Sequence, residues 1–160
     1  MSQLLLLLSI IVGTFGALTL LDRLATNISI SQSLRGRISL AVFFIFTGIG
    51  HFIMPNEMAQ MLPPSIPRRV DIISLTGILE ILGAIGILIP KMISLASIAL
   101  ILFLIGVLPA NIYAAIMSVK FGGHQFGPIY LLVRIPFQVF LIWWAYYFGI
   151  RTRSIKNRGG

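Results

Sequence analysis

The stretch Ile72–Pro90 reads IISLTGILEILGAIGILIP, an apolar run of bilayer-crossing length with one carboxylate, Glu80, at its middle. A spanning helix needs about 20 predominantly apolar residues, because each adds about 1.5 Å toward a hydrocarbon core of about 30 Å. The run predicts a transmembrane helix with Glu80 near the midplane. A carboxylate there costs roughly 2.5–3.5 kcal/mol on insertion scales, so it is expected to face protein, water or a partner charge rather than lipid. No other Asp or Glu lies inside an apolar run of the chain. What accompanies Glu80 is therefore the question on which function turns.

Four further runs flank this one: Leu4–Leu21, Ile38–Met54, Ile93–Ser118 and Ile129–Ile150. Helices are the only non-barrel structures that satisfy their backbone polar groups in lipid, so each run is read as a spanning helix. The first run lacks a basic leader and a small-residue cleavage site, and Asp22-Arg23 follows it, so it is read as a retained helix rather than a signal peptide. Composition agrees. The chain is 58% hydrophobic and 10% charged, whereas soluble domains carry about 25% charged residues. The absence of cysteine excludes thiol nucleophiles, disulfide exchange and thiolate metal sites within this chain.

The net charge of +8 does not point to nucleic acid, because Arg151, Arg153, Lys156 and Arg158 crowd the last ten positions, directly after an apolar run. Such a tail is a cytoplasmic topology anchor near anionic lipid. With the C-terminus inside, Arg23, Arg35, Arg37 and Lys91 join the four tail residues on the cytoplasmic side, against Arg68, Arg69 and Lys120 opposite. Five spans then put the N-terminus outside. Trp143, Trp144, Tyr146 and Tyr147 are expected to form an interfacial belt. The segment Pro55–Arg69 (PNEMAQMLPPSIPRR), with its four prolines, is either a short amphipathic element on the outer surface or a stiff connector.

The intramembrane polar residues fall at comparable depths in this topology. Glu80 lies about 13 Å from the outer end of its helix, while Asn111 and Arg134 lie about 10 Å from the outer ends of theirs. His51 sits near the outer end of its own helix. Thr76, Glu80 and Gly83 share one helical stripe, and Tyr130, Arg134 and Gln138 share another. The expectation is a polar layer of His51, Glu80, Asn111, Arg134 and Gln138, in which Glu80 pairs with Arg134 directly or through water. Pro109 and Pro136 are expected to kink their helices beside it and open an outward pocket. His124, in KFGGHQFGP, is expected in a solvated loop, and neither a metal nor a bis-histidine haem site is expected. A buried Glu–Arg pair serves equally well as structural glue.

Five blocks resemble the DoxX-like family of small integral membrane proteins: FFIFTGIGHFIMP at Phe43–Pro55, LPPSIP at Leu62–Pro67, LTGILEILGAIGILIP at Leu75–Pro90, LPANIYAAI at Leu108–Ile116 and RIPFQ at Arg134–Gln138. The resemblance implies a four-helix transmembrane bundle over residues 34–150. The segment 1–33 is then an added transmembrane helix with its cytoplasmic linker, and 151–160 a basic cytoplasmic tail. It further implies a bacterial inner (plasma) membrane and a role as an accessory subunit of a membrane redox or oxidative-stress system. A quinone is the cofactor so implied, hydrogen-bonded by His51, Glu80 or Arg134. The alternative is a non-enzymatic assembly factor or chaperone whose Glu80–Arg134 layer is structural. Catalytic residues are not identified by either reading, and redox activity would need a partner or a bound cofactor. The expected fold is an all-α integral membrane protein: a four-helix transmembrane bundle preceded by an extra N-terminal transmembrane helix.

Overall fold

The structure is a computed structural model that describes residues 2–25 and 29–152. Of the basic tail expected over 151–160, residues 153–160 lie outside the described residues. The elements are α1 (Ser2–Leu24), α2 (Gln32–Ile53), α3 (Pro55–Ala59), α4 (Arg69–Gly86), α5 (Ile93–Ile116), a 3₁₀ segment (His124–Tyr130) and α6 (Leu131–Tyr146). A π-wound turn over Tyr147–Arg151 continues α6. Among the described residues there is no strand.

Four helical stretches are long and apolar enough to cross a membrane: Gln3–Leu24, Gln32–Ile53, Ile93–Ile116 and His124–Arg151. The run expected over Ile72–Pro90 forms a helix in another frame, Arg69–Gly86. It is thus 18 residues long and carries Arg69, Asp71 and Glu80. Its length of about 27 Å follows from the helical rise. Similarly, α2 begins at Gln32, before the expected Ile38, with the Ser31 side chain accepting a hydrogen bond from the Leu34 amide as its cap.

Helix α1 packs along α2, with Leu4 and Ile11 buried in the common core. Asp22 fixes this hairpin by accepting from the Ile30 amide at 2.6 Å and pairing with Arg35 at 3.3 Å. Helix α2 packs most closely on α4, and α5 packs on α6. The α2–α4 approach is close because two glycines face each other: a Cβ on Gly77 would lie 3.0 Å from the Gly48 carbonyl oxygen, and one on Gly48 would lie 3.1 Å from that of Gly77. Small residues at a crossing let backbones approach in this way.

The aromatic residues of α6 divide between two faces. Trp143 and Tyr146 are exposed, as the expected belt requires, but Trp144 is buried. Its indole N–H donates to the Gly36 carbonyl at 2.9 Å, and its ring meets Phe15 edge-on at 5.4 Å. The belt reading fails for Trp144 because successive helical residues point about 100° apart, so adjacent tryptophans cannot share a face. Trp144→Phe removes that hydrogen bond while keeping an aromatic ring. It is expected to cost about 1–2 kcal/mol in a denaturant titration.

Candidate functional site

A cavity of about 420 Å³ opens between the helices on the side of the bundle where α2 ends and α4 begins. Phe43, Phe44, Phe103 and Leu141 line its apolar part. Helix α1 closes one side with Gln3, Leu4, Leu6 and Leu7, while Met54, Met58, Met61 and Leu62 of the α2–α4 connection line another part. The connection contains a short helix, α3, with Pro55 in its first turn. Arg69 closes the loop by donating to the Leu62 carbonyl at 3.4 Å. Methionine suits such a wall, being flexible and polarizable.

Four of the five residues expected in the polar layer line this cavity: His51, Glu80, Asn111 and Arg134. Gln138 does not. It is buried beside the cavity and donates through Nε2 to the Leu104 carbonyl. That carbonyl adjoins residue 105, whose hydrogen-bond donor Pro109 removes.

The direct Glu80–Arg134 contact is not formed. Glu80 Oε2 instead lies 3.7 Å from His51 Nε2, and Arg134 Nε donates to Asn111 Oδ1 at 3.3 Å. The reason is the packing order. Helix α4 turns the Thr76–Glu80 stripe toward α2, whereas α6 packs on α5, so the carboxylate and the guanidinium reach the cavity from different walls. Sequence periodicity correctly grouped Thr76 with Glu80, and Tyr130 with Arg134, but it does not say which helices are neighbours.

The hydrogen bonds assign the proton on His51. Its Nδ1 lies 2.9 Å from the Ile73 carbonyl and 2.9 Å from Thr76 Oγ1. The Thr76 hydroxyl already donates its single proton to that same carbonyl at 2.7 Å. Both neighbours of Nδ1 are therefore acceptors, and Nδ1 carries the proton. In neutral histidine Nε2 is then a bare lone pair facing Glu80 Oε2, which has no hydrogen-bond partner. Two bare acceptors in that position call for one proton between them, on either the carboxyl or the imidazole. With it, the dyad has no net charge. A separation of 3.7 Å exceeds hydrogen-bond reach, so a direct transfer needs a small shift or one bridging water.

His124 and Tyr130 belong to the same cavity, which the solvated-loop expectation missed. His124 is only 2% exposed and meets the Tyr130 ring edge-on at 4.9 Å. Its Nδ1 contacts the Phe121 carbonyl at 2.8 Å, and its Nε2 has no partner. Tyr130 donates its hydroxyl to the Gly122 carbonyl at 2.6 Å. This fold-back rests on Gly122 and Gly123, whose φ values of 66° and 97° lie in the left-handed region. A Cβ on Gly123 would also fall 2.7 Å from the Tyr130 ring. The Gly-Gly pair immediately before His124 was the available signal, since paired glycines mark a chain turning sharply.

A family model described as a domain of unknown function (DUF8561) matches residues 40–149. No curated protein and no solved structure matches the chain. The DoxX-like resemblance is thereby corrected, because the matching family is a different one. Its blocks are rich in glycines, prolines and apolar residues, which any closely packed and kinked helical bundle requires. Such blocks describe packing more than ancestry.

Proposed function

Because the chain belongs to the DUF8561 family, whose description carries no function, we propose that it is a helical membrane protein that holds a small amphiphilic molecule in the cavity around Glu80. The ligand has an apolar body and a polar head, a class that includes quinones. Support for membrane embedding comes from the four long apolar helices and from an exterior that exposes Leu20, Leu75, Leu95, Leu102 and Leu132. One observation carries the ligand reading: a mostly apolar cavity of about 420 Å³ into which only a few polar groups converge. Its size falls within the range of about 300–1,000 Å³ found for small-molecule pockets, and its lining has their composition. The binding role is that of an accessory component, with chemistry, if any, supplied by a partner. The redox and stress-response roles depended on the corrected resemblance and do not form part of the proposal.

The glycine crossing beside the His51–Glu80 contact favours a second reading. In it the dyad fixes the register of α2 against α4, and the protein is a non-enzymatic assembly factor. A cavity-filling substitution separates the two. Val107→Phe places a ring in the cavity without removing a polar group. Mass spectrometry of the purified protein is expected to recover an amphiphilic compound from the wild type and about tenfold less from Val107→Phe, with unchanged thermal unfolding. Equal recovery from both would favour the structural reading.

A further inference from the structure

We infer that the ligand is a monoanion, a carboxylate on an apolar tail, with its head on the Arg134 guanidinium. This rests on the cavity reading above and adds the head group.

Arg134 makes one hydrogen bond among the described residues, through Nε to Asn111. Its guanidinium also lies 5.9 Å from the centroid of the Phe137 ring. Its two terminal amino groups have no protein partner, and no carboxylate oxygen lies within 4.0 Å of it among the described residues. Asn111 supplies no counter-charge: its Nδ2 donates to the Val107 carbonyl at 3.1 Å while its Oδ1 accepts from Arg134. Tyr130 has donated its proton to Gly122, and His124 Nδ1 faces Phe121. These two side chains offer lone pairs and no counter-charge.

The opposite wall makes no direct contact with Arg134; Glu80 acts on it only through charge across the cavity. The His51–Glu80 dyad, holding one proton between its two facing atoms, sums to zero whichever atom carries it. The cavity therefore retains one positive charge with two unused donor groups. Leaving a half-buried cation without a counter-charge is costly, and a bound anion removes that cost. Arginine presents its donors as a planar fork that matches a carboxylate in a bidentate pair. A phosphate monoester, at about −1.5 to −2 charges, would exceed the single cation. The walls of Phe43, Phe44, Phe103 and Leu141 then take the tail.

The test is a competition on the full chain in nonionic detergent. Dodecanoate, dodecanol, dodecylammonium and a short-chain quinone are added at equal concentration, and native mass spectrometry counts what each protein molecule retains. The wild type is expected to retain dodecanoate about 10- to 100-fold more than dodecanol, the range that charge-assisted hydrogen bonds supply. Arg134→Gln is expected to abolish this preference while still holding the alcohol. Arg134→Lys is expected to recover only part of it, since an ammonium lacks the fork. If a variant does not fold, the ranking on the wild type decides alone. Retention of the alcohol, amine or quinone at least as strongly as the acid overturns the carboxylate head and leaves the cavity reading standing. Retention of no probe overturns both.

Discussion

His51→Leu is expected to destabilise the protein by about 1–3 kcal/mol, the range for leaving buried polar groups unsatisfied. The substitution leaves Glu80 Oε2, already without any hydrogen-bond partner, facing a leucine instead of an imidazole. Glu80→Leu is expected to cost less, because His51 retains its Nδ1 contacts to Ile73 and Thr76. The double variant His51→Leu/Glu80→Leu should be markedly more stable than the sum of the single losses predicts, since an apolar pair replaces a polar one as a unit. Unfolding titrations of all four proteins provide the measurement. Additive losses would show that the two side chains do not act together.

Gly77→Val should be the most damaging single glycine substitution at the α2–α4 crossing, at about 1–3 kcal/mol or more for overpacking. The new Cβ would sit 2.7 Å from His51 Cβ and 3.0 Å from the Gly48 carbonyl oxygen. A carbonyl in a helix cannot swing aside as a side-chain tip can, so relief requires the helices to separate. Separation also moves His51 away from Glu80, and ligand retention should fall along with stability. Gly106→Val provides the control, because nothing lies within 4 Å of a Cβ there. If both variants unfold alike, close approach at Gly77 is not what holds α2 to α4.

Much of this architecture can be read from residue order alone, for identifiable reasons. The apolar runs predict the helices because hydropathy and length act locally. Their ends are less legible: α2 includes Arg35 and Arg37, which a purely apolar window discards. Depth arguments brought His51, Glu80, Asn111 and Arg134 to one cavity, because each depth depends only on distance from a helix end. The pairing did not follow, because it depends on which helices pack together, and opposite charges alone do not determine that order. His124 escaped for a related reason. A glycine-rich polar segment looks solvated until left-handed turns fold it back over Tyr130.

The matched family segment begins at residue 40, yet part of the cavity wall comes from Gln3, Leu4, Leu6 and Leu7 of α1. The unit shared across the family and the unit that encloses the cavity therefore have different boundaries. Relatives could keep the Glu80 and Arg134 walls while exchanging the helix that closes the chamber. A bulkier or shorter first helix would change the shape of the chamber without touching His51, Glu80, Asn111 or Arg134. The closing wall of the chamber and its polar groups thus sit on separate pieces of chain.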